Sequence, residues 1–194
     1  TGVDDNNSDG HQDYDISLSA LVPSYSSKAL DFDGSNDYVA TASNISALDI
    51  TADITIQSWV NISSFGGWQR IIGKGTSSKR TYGLWLHPSN GKFMLQRRGP
   101  STGSGELWSN TTLSIGAWYH IVVTKSGSTA TIYVNGVADA TRTDSAFSGT
   151  AYSTSDPFGI GNGFSSPYKG KIDEVAVWDK GLSAAEITTL YNSG

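Results

Sequence analysis

Apolar and polar residues alternate in short runs from Ala29 onward, and each run is closed by Gly, Pro, Asn, Asp or Ser. That is the pattern of half-buried strands separated by turns. "ALDFDG" and "DYVAT" open the series, followed by "DITIQSWVN", "RIIGKG", "YGLWLH" and, across "PSNG", "KFMLQRR". "ELWSN", "WYHIVVTKSG", "TATIYVNG", "PFGIGN" and "GKIDEVAVWD" complete it. Only "SAAEITTLYNS" reads as a helix, with Ser183 as N-cap and Glu186 three residues later in a capping-box pattern. About a dozen strands and one short C-terminal helix predict an all-β fold, a sandwich of two antiparallel sheets.

The same alternation assigns faces. Tyr82, Leu84 and Leu86 should look into the core, which turns Gly83, Trp85 and His87 to the opposite side. On the next strand Phe93 and Leu95 point inward, leaving Lys92, Met94, Gln96 and Arg98 outward and Arg97 on the inner side. In "ELWSN" the same rule buries Leu107 and turns Trp108 out.

Composition adds limits. The 194 residues suffice for one domain with a substantial core. Residues 1–27 read as a linker or the end of a preceding module, and 28–194 as the folded domain. Within that leader, Asp5, Asn7, Asp9, Gly10 and Asp13 resemble the calcium loops of thrombospondin type 3 repeats, with a solvated acidic spacer as the alternative. No apolar run approaches the roughly 20 residues that span a bilayer, so no membrane insertion is expected. The absence of Cys excludes disulfides and thiolate metal sites. These features, and a start at Thr1 without a leader pattern, suit a monomeric module cut from a larger secreted or cell-surface bacterial protein.

Three stretches, "ALDFDGSNDYV", "GAWYHIVVTKSGSTATIYVNG" and "GKIDEVAVWDKGLSAAEITTLY", resemble the laminin-G-like jellyroll domains of the concanavalin-A-like lectin/glucanase superfamily. The resemblance covers residues 29–194 and implies a jellyroll sandwich. It implies framework roles for Trp59 and Trp118, which stand where the family carries Trp. Trp178, just before the turn into the helix, should pack beneath it. The resemblance also implies a structural calcium between the first strand turn and the last strand, with Asp33 and Asp173 at the matching positions and the carbonyls of Gly34 and Asp37 completing its oxygen shell. The alternative is that Asp33 makes a turn and Asp173 caps a sheet end. It leaves function open, since this sandwich hosts lectins, adhesion domains, glycosidases and lyases.

Catalysis finds little support. The chain has three Glu residues, Glu106, Glu174 and Glu186, and none forms the paired-carboxylate pattern that glycosidases of related sandwiches use. A lyase would draw on His87, Tyr82 and Gln96, but alternation sets Tyr82 on the face opposite His87. Binding fares better. Trp68, Trp85 and Trp108 fall where the family pattern calls for no aromatic residue. A Trp on a solvent face stacks on the C–H face of a sugar while Arg, Lys and Gln bond its hydroxyls or anionic groups.

The expected ligand-binding set is therefore Trp68, Arg70, Trp85, His87, Lys92, Gln96, Arg98 and Trp108. The alternative is a covered sheet in which these Trp residues fill a small cluster of their own. From Ile54 to Gly105 there is no Asp or Glu, although the chain's formal net charge is −5. Arg70, Lys74, Lys79, Arg80, Lys92, Arg97 and Arg98 supply seven of its thirteen Lys and Arg in that window. This basic window points to an anionic polysaccharide, sulfated or uronate-containing. Nucleic acid is not expected, because the domain as a whole is acidic and carries no recognised nucleic-acid motif. The rival from another class is an adhesion or protein-interaction module.

Overall fold

A computed structural model describes residues 28–161 and 166–193. The Asp5 to Asp13 segment lies outside them. Among the described residues, twelve strands form two six-stranded antiparallel sheets. Sheet A runs β1 (Leu30–Asp33), β12 (Lys169–Trp178), β3 (Ile54–Ile62), β8 (Trp118–Ser126), β9 (Thr129–Val134), β10 (Val137–Thr143). Sheet B runs β2 (Val39–Ala40), β11 (Phe158–Ile160), β4 (Gln69–Gly75), β5 (Arg80–Leu86), β6 (Phe93–Gly99), β7 (Gly103–Trp108). The chain changes sheet after β1, β2, β3, β7, β10 and β11, which is the interleaved order of a jellyroll sandwich.

The core lies between the sheets. Ile56, Val60 and Ile62 of β3, Ile121 and Val123 of β8 and Ile132 of β9 share one buried cluster with Tyr82, Leu84, Leu86, Phe93, Leu95 and Leu107 of sheet B. Burying each such side chain contributes about 1.5–3 kcal/mol. The inward set predicted by alternation is the observed one.

Two bulges decide what sheet B shows to the outside. Arg70 pairs with Trp85 but Ile72 pairs with Leu84, so Ile71 is extra and both Ile71 and Ile72 are buried. Lys74 pairs with Tyr82 but Gly75 pairs with Arg80, so Thr81 is extra. Each bulge reverses the alternation beyond it. Lys74 thereby joins Tyr82 on the inner side, and Arg80 joins Trp85 on the outer one.

β10 was not predicted. Its sequence is poor in large apolar residues and half exposed, and it is held as an edge strand by the Asn135–Gly136 turn, whose φ values of 51° and 76° suit a type I′ hairpin. The single-turn helix α1 (Ser145–Ser148) was likewise not predicted, and Asp144 caps it by accepting the Ala146 N–H at 2.8 Å. The predicted helix is α2 (Ala184–Ser193), with the Ser183 N–H donating to Glu186 at 2.7 Å and the Glu186 N–H donating back to Ser183 Oγ at 3.3 Å. Trp178 packs with Val122, Tyr133, Leu182 and Ile187 beneath α2, as expected.

Candidate functional site

Four of the seven cations of the acid-free window are buried in the fold. Lys74 is fully buried, and its ammonium donates to Asn44 Oδ1 at 2.7 Å and to the Thr154 and Asp156 carbonyls at 2.8 Å each, with Asp49 3.8 Å away. Arg97 points inward, as alternation requires, and donates to the carbonyls of Thr51 at 2.6 Å and Gly149 at 3.1 Å. Arg70, expected to contact ligand, is buried on the outer face of sheet B and donates to the Gly75 carbonyl at 3.0 Å. Arg80 lies over the Trp85 ring with its guanidinium carbon 4.6 Å from the centroid. Burial lowers the pKa of Arg70 and Arg80 to about 10, which leaves both charged at neutral pH. Two cations of the window, Lys74 and Arg97, thus anchor loop carbonyls, because a long cationic side chain can bond several carbonyls at once.

The remaining residues build a pocket on the outer face of sheet B. It has a volume of about 360 Å³ and is lined by Trp68, Arg80, Trp85, Met94, Gln96, Glu106 and Trp108, with Ser77 at its edge. Trp68 comes from the loop before β4, Trp85 from β5, Met94 and Gln96 from β6, and Glu106 and Trp108 from β7. The register sets Trp85 opposite Met94 and Met94 opposite Trp108, so these side chains share one face. His87, outside the pocket lining, packs against both Trp68 and Trp108. Ring centroids are 5.2 Å apart for Trp68 and His87, 5.6 Å for His87 and Trp108, and 5.7 Å for Trp68 and Trp108. Trp68 keeps 37% of its surface exposed.

Trp85 does not offer the open platform that the sequence suggested. It is only 5% exposed, and the Arg80 and Arg70 guanidinium carbons lie 4.6 Å and 5.8 Å from its ring. Trp85 is therefore covered, whereas Trp68 packs with His87 and Trp108 in a small aromatic cluster that stays partly exposed. Gly83 makes the arrangement possible, since a Cβ there would come within 2.6 Å of Trp85 Nε1 and 3.1 Å of Arg80 Cδ.

Gln96 lies in the pocket as expected and donates to Glu106 Oε1 at 2.6 Å, with Ser104 Oγ donating to the same oxygen at 3.3 Å. Glu106 is absent from the binding set expected from the sequence. It is the residue just past the acid-free window, and its pairing with Gln96 brings a carboxylate into the patch. Its outward direction was legible, because Leu107 beside it is inward. Arg80 was missed because the bulge at Thr81 overrides strict alternation. Arg98 is half-buried near Arg80, whose pKa it helps to lower, and does not line the pocket. Lys92 precedes β6 in the turn, where its N–H donates to Asn90 Oδ1 at 3.0 Å and its carbonyl accepts from the His87 N–H at 2.8 Å. It too lies outside the pocket lining.

On the outer face of sheet A, Trp59 has the framework role expected of it, stacked on His120 and Tyr191 at 5.2 Å and 5.8 Å. Trp118 has not, for it is 41% exposed. His120 is fully buried, and burial lowers its pKa to about 4.

The residues expected to share a calcium ion do not come together. Asp33 pairs with Lys169, which leaves Asp173 four residues further along β12, about 13 Å away at 3.3 Å per residue. Asp37 Oδ2 accepts the Asp33 N–H at 2.9 Å, and Asp33 Oδ1 accepts the Ser35 N–H at 2.7 Å, closing the turn that contains Gly34. Asp173 Oδ1 instead accepts the Glu174 N–H at 2.9 Å, in a β12 bulge where Glu174 takes φ 50°. Among the described residues no cluster of three or more His, Cys, Asp or Glu is placed to hold a metal. A calcium bridging Asp33 and Asp173 does not fit this register.

Fold and pocket together define a lectin-type jellyroll with an aromatic-lined depression on one sheet. A profile of the Laminin_G_3 family, described as the concanavalin A-like lectin/glucanases superfamily, matches residues 33–188, and the chain belongs to that family. No curated protein matches it. Among solved structures, domain 4 of AbnA, a GH43 extracellular arabinanase from Geobacillus stearothermophilus, in complex with arabinotriose, is similar at 19% identity. The match covers 84% of this chain and 76% of that one, with a TM-score of 0.65. The native heptameric SAP-like pentraxin from Limulus polyphemus shares 16% identity over 83% and 80% of the two chains, TM-score 0.61. The binding domain of Paraclostridial Mosquitocidal Protein 1 shares 14% over 86% and 45%, TM-score 0.67. Among the described residues, no helix is long and apolar enough to cross a membrane.

Proposed function

We propose that this domain is a non-catalytic carbohydrate-binding module of an extracellular protein and that the pocket on sheet B is its glycan site. The observation that carries this is a depression lined by Trp68 and Trp108, which pack with His87 in one aromatic cluster, together with Gln96, Glu106 and Arg80. Indole faces take the apolar side of a sugar, and an amide, a carboxylate and a guanidinium together take its hydroxyls as donors and acceptors. A volume of about 360 Å³ suits one sugar unit rather than a large aglycone. The arabinanase domain, solved with arabinotriose, supports a sugar ligand for this fold.

Two features support a binding rather than a catalytic role. Glu106 is the one carboxylate among the residues lining the pocket, whereas glycosidases of the usual kind need two facing the same bond. Tyr82, the candidate lyase base, lies in the core with its hydroxyl donating to the Leu48 carbonyl at 2.8 Å, away from His87.

For the charge of the ligand, the geometry favours a neutral glycan over the anionic one suggested by the sequence. Arg70, Lys74 and Arg97 spend their charge on carbonyls, Arg80 stacks on Trp85, and Glu106 would repel a sulfate or uronate. Of the seven cations of the acid-free window, Lys79, Lys92 and Arg98 remain to serve an anionic chain. Affinity electrophoresis against neutral, sulfated and uronate polymers tests both statements. Trp68→Ala and Trp108→Ala should each abolish retardation without shifting the melting temperature by more than a few degrees. Unchanged retardation in both variants would overturn the site. Stronger binding to the sulfated than to the desulfated form of one polymer, lost at high salt, would restore the anionic ligand.

A further inference from the structure

The aromatic pocket has a neighbour. Across the β4–β5 turn lies a second depression of about 640 Å³, whose lining includes Tyr38, Thr41, Arg70, Thr76 and Asp156. Three observations join the two. Thr76 lines the second and Ser77, the next residue, lines the first, so their walls are one peptide unit apart, about 3.8 Å between Cα atoms. Arg70 lines the second, and its guanidinium carbon is 5.8 Å from the ring of Trp85, which lines the first. Finally, the register sets Ala40, Gly159, Gly73 and Gly83 opposite one another across β2, β11, β4 and β5, and continues to Gln96 on β6 and Glu106 on β7.

Residues directly opposite one another share a face. The first four members of that row carry no side chain larger than a methyl, so on β2, β11, β4 and β5 this line of the outer face of sheet B raises no side chain of its own. The two arginines lie in the low ground. A Cβ on Gly73 would come within 2.9 Å of Arg70 Cδ, and one on Gly83 within 3.1 Å of Arg80 Cδ. From β2 to β7 there are five strand spacings of about 4.8 Å, a span of about 24 Å. The second depression repeats the chemistry of the first. Tyr38 presents an aromatic side chain 61% exposed, Thr41 and Thr76 bring hydroxyls, and Asp156 brings a carboxylate whose charge raises the pKa of Arg70 against the lowering by burial. Arg80, 6% exposed and lining the first pocket, has an Nε–H with no hydrogen-bond partner among the described residues.

We propose that the second depression is a second sugar subsite and that the domain binds the interior of a glycan chain laid across the strands of sheet B, not a chain end. This rests on the glycan reading of the aromatic pocket. One unit packs against the open side of the Trp68 and Trp108 pair, the chain passes the Thr76–Ser77 turn over Arg80 and Arg70, and a later unit rests on Tyr38.

The test is calorimetric titration of the purified domain with neutral arabino-, xylo-, gluco- and manno-oligosaccharides from two to eight units, together with the parent polymers. Affinity in the binding series should rise by about tenfold or more from two units to six and then level off. Tyr38→Ala, a change on the surface, should remove that gain with length at an unaltered melting temperature. Equal affinity from two to eight units, or an unchanged gain in Tyr38→Ala, would overturn the second subsite and leave the aromatic pocket standing. Failure of every polymer to bind would overturn the glycan reading and this proposal with it.

Discussion

Replacing Lys74 by Met keeps the aliphatic stem and removes the ammonium, which isolates what the charge does. In the folded domain that ammonium is sealed from water and serves Asn44 Oδ1 and the Thr154 and Asp156 carbonyls, with Asp49 nearby. These partners come from segments before β3 and before β11, so one side chain ties two loops to the middle of sheet B. Without it, buried acceptors lose their donor at about 1–3 kcal/mol each, and breaking a buried charge contact by deleting one partner costs about 3–5 kcal/mol in total. A domain of this size loses about 2–4 °C of melting temperature per kcal/mol, so Lys74→Met should melt roughly 10 °C lower or more. Lys79 is exposed on the same hairpin, and Lys79→Met should stay within about 0.5 kcal/mol of the parent. Circular dichroism melts of the three proteins at neutral pH, with glycan affinity measured well below the transition, make the comparison. If Lys74→Met melted within about 3 °C of the parent and instead lost glycan affinity, the argument that this cation is structural would be wrong.

Two further outcomes follow from the buried groups. His120 has a folded pKa of about 4 against about 6.5 unfolded, so its contribution is complete above pH 6.5 and is lost as the pH falls toward 4, about 2 kcal/mol of it by pH 5. His120→Phe, which keeps an aromatic ring beside Trp59 and Tyr191, should flatten the stability profile between pH 7 and pH 5, and a mutant profile as steep as the parent's would refute the assignment. Because the register separates Asp33 from Asp173, Asp173→Ala should leave any effect of a chelator on the melting temperature unchanged. Loss of a chelator-sensitive transition in that variant, with metal removal confirmed, would show the two carboxylates to share an ion after all.

Local rules sufficed for much of this protein. Alternation in "YGLWLH", "KFMLQRR" and "ELWSN" fixed which side chains enter the core, and the outward placement of Trp85, Met94, Gln96 and Trp108 follows from the same period of two. The capping box at Ser183 located α2, and three motif stretches were specific enough to indicate the jellyroll. A pattern of period two says which side a residue faces, but not what else arrives on that side. Two single-residue bulges put Lys74 inside and Arg80 outside, and no propensity marks either one. Strand order then set Glu106 beside Gln96 and Arg80 and separated Asp33 from Asp173, because pairing partners are chosen by contacts distant in sequence. The charge of the window was visible in the chain. Its use was decided in three dimensions, where a cation surrounded by loop carbonyls has a neighbourhood that no stretch of sequence contains.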